Sequence, residues 1–204
     1  MRFPSVILLM IVSAACSRTT GDKPVEQNPA LTPAVQPKDD AVVIADQQET
    51  DSIKGSRRAR AEGKIGSTAI TVRYHSPAVR GRIIWGGLVP LDQVWVTGAH
   101  MATKVEFSEN VTIAGQPVPA GAYAFFSFPG KDSWTLVLNS NWEQHLTDEY
   151  DESLDVLRMT VKPVKLETPQ ERLQYSIIEE TPTQGKLVVR WDRLEVALPI
   201  TVMP

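Results

Sequence analysis

Residues 193–202 read RLEVALPITV, and this stretch decides the fold class. Apolar side chains occupy every second position, namely Leu194, Val196, Leu198, Ile200 and Val202. A period of two is the spacing of a β-strand, whose successive side chains point to opposite faces of a sheet. We therefore expect this set to face a core. Pro199 has no backbone N–H to donate, which predicts an edge position or a strand end.

The same alternation recurs along the chain before this stretch. It is found in residues 70–74, 105–107, 134–138, 157–161, 173–177 and 187–191, and residues 121–128 form a mixed apolar run. Turn-forming pairs such as Pro129-Gly130 and Gln184-Gly185 separate the runs, and only residues 150–154 suggest a helical turn. Many short strands of this kind predict an all-β protein. We expect an antiparallel β-sandwich of jelly-roll or Greek-key type over residues 57–204.

The N-terminus has the features of an export signal. Arg2 precedes an apolar run at residues 6–12, and small residues at 13–15 lead to Cys16, the only cysteine in the chain. This arrangement predicts a signal peptide over residues 1–15 and lipidation of Cys16, although Ser13 stands where such sites prefer leucine. The alternative is an ordinary secretory signal with an incidental cysteine. The run is too short for a spanning helix, which needs about 20 apolar residues.

Residues 16–56 are predicted to form a disordered, lipid-anchored linker. Four prolines interrupt the segment, and from residue 17 to residue 56 it contains no aromatic side chain. Such a composition buries too little apolar surface to offset the entropy of ordering the chain. The predicted protein is therefore a membrane-anchored domain of the bacterial cell envelope, on the periplasmic or outer-membrane side.

The composition and motifs exclude several functional classes. The formal net charge is −3, with no basic surplus to indicate nucleic-acid binding. No Gly-x-Ser-x-Gly elbow, Ser-x-x-Lys motif or phosphate-binding loop is present. The histidines His75, His100 and His145 lack metal-site spacing, and the acidic residues 148–152 suggest a solvated turn. We therefore assign no catalytic residue, metal or cofactor, and favour a non-enzymatic role.

Residues 75–103 hold the densest cluster of side chains suited to ligand binding. Tryptophans offer flat apolar faces, arginines bind carboxylates or phosphates, and histidine titrates near neutral pH. The candidate ligand-binding residues are Arg80, Arg82, Trp85, Trp95, Thr97 and His100. The alternative is purely architectural. In that case the tryptophans fill the core, and the arginines pair with Asp92 or Glu106.

Several segments resemble the bacterial family called domain of unknown function 2911. They are residues 76–82 (SPAVRGR), 85–90 (WGGLVP), 95–99 (WVTGA), 119–123 (PAGAY) and 134–139 (WTLVLN). The resemblance covers roughly residues 57–200. It implies an exported, often lipid-anchored protein and no established activity. Two positions depart from the family pattern, since Val96 stands where arginine is common and His100 where asparagine is common.

Together these features predict a cell-envelope lipoprotein that binds a small molecule, a glycan or a protein partner. One alternative is an envelope hydrolase with His100, Arg82 and Thr97 near its centre. The other is a structural spacer within an envelope assembly.

Overall fold

The computed structural model describes residues 54–203. It contains ten strands and one 3-10 turn at Glu152–Leu154: β1 Arg57–Ile65, β2 Thr68–Ser76, β3 Lys104–Phe107, β4 Val111–Ile113, β5 Gln116–Val118, β6 Gly121–Pro129, β7 Trp134–Asn139, β8 Asp155–Val161, β9 Val164–Thr181 and β10 Gln184–Val202. The predicted all-β class is confirmed. The predicted signal peptide, Cys16 and residues 16–53 of the predicted linker lie outside the described residues.

Two antiparallel sheets form the sandwich. The larger has the order β1-β2-β3-β6-β7-β8, and the smaller has the order β5-β4-β10-β9. Their facing sides bury one apolar cluster, which includes Val72, Phe125, Leu136, Leu187 and Leu198. Burial of apolar side chains between two sheets is the main term that stabilises such a fold. Within residues 54–203 no helix has the length and apolarity needed to cross a bilayer.

The last strand differs from its predicted form. Residues 187–191 and 193–202 belong to one continuous strand, β10, because an irregularity at Asp192 keeps the chain paired with β9 while the register shifts. Asp192 has a φ of 54°, which provides the local bend. Pro199 lies between the two paired parts of β10, since pairing with β9 ends at Glu195 and pairing with β4 starts at Thr201. The missing N–H of Pro199 therefore removes no hydrogen bond from the pairing of β10 with β9 or with β4.

Strand β1 was not predicted, and its packing explains why. Its inward positions include Ala59, Ala61 and Gly63, which are too small to show a strong apolar alternation. The close approach of β9 requires a glycine at position 63. A Cβ on Gly63 would lie 2.7 Å from the Cβ of Ile177.

The outer face of the larger sheet is divided into two regions. Over β6 and β7 it carries a second apolar cluster. In this cluster Ala124, Phe126 and Val137 of the sheet pack against Val96 and Ala102 of another segment. This segment is part of residues 77–103, the long connection from β2 to β3. Trp95 pairs with Ser127 on β6 through two backbone hydrogen bonds of 2.8 and 2.9 Å. The connection therefore ends beside the outer face of β1, β2 and β3.

Candidate functional site

Trp85 and Trp95 belong to a cluster of four indoles. With Trp134 and Trp191 they make ring contacts at centroid distances from 4.8 to 6.4 Å. Trp95 stacks on Trp191 with an interplanar angle of 21°. Trp134 and Trp191 are each 2% exposed, whereas Trp85 and Trp95 are partly buried. Much of the aromatic surface assigned to a ligand is thus in contact with the core, as the architectural alternative describes.

Thr97 is buried and bonded within the protein. Its hydroxyl donates to the Ser127 hydroxyl at 2.8 Å, and its carbonyl accepts from the Tyr175 hydroxyl at 2.7 Å. Its φ of 48° is unusual for a β-branched residue. Thr97 therefore holds a tight turn. In the same turn the indole N–H of Trp95 donates to the carbonyl of Gly98 at 3.1 Å.

The hydrogen bonds observed for the two candidate arginines are made with residues other than His100. Arg80 is exposed, and its backbone N–H donates to the Glu171 carboxylate at 2.9 Å. The Arg82 guanidinium donates to the carbonyls of Ala78 at 2.5 Å and Val79 at 3.1 Å. The observed ion pairs of Glu106 are made with other cations, described below.

Arg82 and Trp95 do line a common cavity of about 290 Å³, which we call the indole pocket. Its other lining residues are Ser56, Pro77, Leu88, Val89, Gly98, Ala99, Leu146 and Trp191. The cavity is mainly apolar. Of the six predicted residues, only these two meet here.

A larger cavity of about 450 Å³ lies where the outer face of β1–β3 meets the connection and the segment after β7. We call it the basic pocket. It is lined by Arg58, Ala59, Arg73, Tyr74, His75, Met101, Ala102, Lys104, Trp142 and Glu143. None of these was a predicted site residue. His100 adjoins the pocket, because its ring packs edge-on against His75 with the centroids 5.1 Å apart.

Strand register brings the cations of the basic pocket together. Arg58 on β1 lies opposite His75 on β2, and Arg73 on β2 lies opposite Lys104 on β3. Glu106 is within 3.6 Å of Arg73 and 3.3 Å of Lys104. The Lys104 ammonium also lies 4.1 Å from the ring centroid of Trp142. The pocket therefore combines several positive groups with an aromatic wall.

The local positive potential affects His75. Burial, followed by the neighbouring His100 and then Arg58, lowers the pKa of His75 below its usual value of 6.5. Burial disfavours the charged imidazolium, and nearby positive groups do the same. His75 is consequently neutral near pH 7 and accepts a proton only in more acidic solution.

This shift makes stability depend on pH. Between the lowered pKa of folded His75 and the unfolded value of 6.5, the unfolded chain binds more protons, so stability falls as the pH drops through this window. We expect His75→Gln to lose less stability than the wild type when the pH is lowered from 7 to 5. Chemical denaturation at each pH measures this. Equal slopes for His75→Gln and wild type would refute the assignment.

The acidic residues 148–152 contribute to a turn before β8. Asp151 caps the 3-10 turn through the N–H of Ser153 at 2.8 Å. The Asp155 carboxylate accepts hydrogen bonds from the Tyr150 hydroxyl, the Arg158 guanidinium and the Asn139 side-chain amide at 2.7–2.8 Å. Across residues 54–203 no three His, Cys, Asp or Glu side chains are arranged to hold a metal ion.

A family model for a protein of unknown function, DUF2911, matches residues 56–200. The chain belongs to the DUF2911 family. No curated protein and no solved structure matches it. The DUF2911 match includes every residue that lines the basic pocket and the indole pocket. Both cavities therefore lie within the family domain.

Proposed function

We propose that this protein is an envelope-anchored, non-enzymatic binding module for a small molecule, with the basic pocket as its site. The observation that carries the proposal is the convergence of Arg58, Arg73, Lys104 and His75 on one cavity that also has an aromatic wall. Its volume of about 450 Å³ lies within the usual range for small-molecule sites. A concave site of this size suits a small molecule or one sugar unit better than a protein surface.

The anchor and the location are part of the proposal and rest on the sequence. Cys16 follows an apolar run and three small residues, and a proline-rich stretch separates it from β1. Acylation at Cys16 would hold the domain at a membrane, with the linker giving the pocket access to ligands in the envelope.

The hydrolase alternative has less support. It requires His100, Arg82 and Thr97 to act at one centre. Arg82 lines the indole pocket, His100 adjoins the basic pocket, and Thr97 is fully buried with its hydroxyl bonded to Ser127. Catalytic groups need a shared position for the reacting atom, and the buried Thr97 hydroxyl is already bonded within the protein.

A thermal-shift screen of metabolites and short glycans tests the proposal. A ligand at 100 times its Kd is expected to raise the melting temperature by about 5–10 °C, because its binding adds to the stability of the folded state. The shift should be lost in Trp142→Ala and in Lys104→Gln. Arg82→Gln, which alters the indole pocket instead, is the matched control and should keep it. Hits that stabilise all three variants equally, or that are turned over, would contradict a non-enzymatic site in the basic pocket.

A further inference from the structure

We propose that the ligand of the basic pocket is an amphipathic oxyanion, an acidic group joined to a flat apolar body, and that it replaces Glu106 as the counter-ion of Lys104. This inference rests on the proposed function, because it names the ligand class of the same site. Three features of the pocket favour such a ligand: the placement of the cations, the weakness of the internal counter-ion and the apolar wall.

The cations are placed opposite one another on neighbouring strands. Of the groups that line the pocket, Arg73 on β2 faces Lys104 on β3, and Arg58 on β1 faces His75 on β2. Directly opposed side chains lie only about 4.5–5.5 Å apart at Cβ, and like charges so placed destabilise a sheet. The opposed Arg73–Lys104 pair carries such a cost, which an anion beside both groups reduces. This arrangement therefore favours an oxyanion over a neutral or cationic ligand.

Glu106 is a weak internal counter-ion. Its carboxylate lies 3.6 Å from Arg73 and 3.3 Å from Lys104, and its side chain is 46% exposed. Exposed ion pairs contribute little, since water and salt screen them. A ligand oxyanion that makes shorter, charge-assisted hydrogen bonds to Lys104 is expected to displace Glu106.

The apolar half of the ligand is specified by the opposite wall. The Trp142 ring lies under the Lys104 ammonium, and Met101 and Ala102 line the same cavity. Met101 is 46% exposed, so its flexible thioether is available to cover an apolar group. An inorganic anion would leave this wall in water, and a neutral aromatic would bring no negative charge to Lys104. A molecule with both parts satisfies both walls.

His75 supports the assignment through proton uptake. An oxyanion beside a neutral imidazole favours its protonated form, so binding should be accompanied by proton uptake and should tighten as the pH falls from 7 to 5. The groups around His75 are Arg58 on β1, Arg73 on β2, Lys104 on β3, His100 in the connection and Glu143 after β7. Glu143 is the acidic group among them.

Three probes separate the two halves of the ligand. 8-Anilinonaphthalene-1-sulfonate carries an anion and an aromatic body, N-phenyl-1-naphthylamine has the aromatic body alone, and inorganic phosphate is the anion alone. With the full mature chain, fluorescence titration should show the sulfonate binding about tenfold more tightly than the neutral probe. Phosphate should compete only weakly. Lys104→Gln should weaken sulfonate binding about tenfold, whereas Glu106→Gln should strengthen it several-fold.

Arg82→Gln is the matched control and should leave sulfonate affinity unchanged, because Arg82 lines the other cavity. Added salt should weaken the binding by wild type, since screening reduces the attraction. The ligand class would be overturned if the neutral probe or phosphate bound as tightly as the sulfonate. It would also be overturned if Trp142→Ala bound the sulfonate as tightly as the wild type does. A neutral ligand found by the thermal-shift screen would overturn it while upholding the proposed function.

Discussion

Trp191→Ala is expected to lower the free energy of unfolding by about 3–5 kcal/mol. Trp191 is 2% exposed, stacks on Trp95 at 5.6 Å and meets Trp85 edge-on at 5.8 Å. Its indole N–H also donates to the Glu171 carbonyl at 3.3 Å, which joins β10 to β9. Alanine would leave a cavity where three aromatic rings now meet, and close-packed surroundings relax only partly into such a space. Urea denaturation measures this loss, and the dependence of the unfolding free energy on urea concentration should be the same in the variant and the wild type.

Trp142→Ala is the matched comparison. Trp142 is only partly buried, and it lies outside the four-indole cluster, against the second apolar cluster. Its removal should cost clearly less stability than removal of Trp191, while it abolishes ligand binding at the basic pocket. Equal losses of stability for the two variants would show that the distinction between core and site tryptophans is wrong.

Cys16→Ser is expected to release the protein from membranes, with a fall in membrane partitioning of two orders of magnitude or more. Each buried CH₂ of an acyl chain contributes about 0.8 kcal/mol, so loss of the acyl chains proposed at Cys16 would remove the main source of attachment. Residues 54–203 have no helix suited to crossing a bilayer. Detergent-phase partitioning of the two proteins, together with mass spectrometry of the mature N-terminus, measures the effect.

Ser17→Ala is the control for this experiment, because it changes the neighbouring hydroxyl and leaves the thiol in place. It should partition as the wild type does. If Cys16→Ser also stays in the detergent phase, or if the mature wild-type N-terminus carries no lipid, the anchor prediction fails. Neither result would bear on ligand binding by the basic pocket.

The strands that alternation predicted are those whose inward residues are large. Residues 134–138 lie within β7, residues 157–161 end β8, and residues 70–74 lie within β2. Strand β1 escaped prediction because its inward positions include two alanines and Gly63, and a side chain at Gly63 would collide with Ile177 of β9. The alternation of large apolar residues along a strand indicates which positions are buried. It gives no signal where small residues are buried by a strand that approaches closely.

The candidate site was predictable only in part. The unusual residue types in the connection drew attention to Trp85 and Trp95, but the rings that occupy their faces come from β7 and β10. Conversely, the cations of the basic pocket look unremarkable along the chain. A signal existed, since Arg58, Arg73 and Lys104 all stand on the outward-facing side of their strands.

By itself, the sequence determined the all-β class, because the period of two is a property of each strand and needs no knowledge of its neighbours. Family membership also follows from local motifs. Only the tertiary structure decided which side chains share a cavity. Arg58 and Glu143 line one pocket because β1 pairs with β2 and β2 with β3, and because the segment after β7 lies against the outer face of these strands. Such juxtapositions depend on strand order and register, which act between residues far apart in the chain.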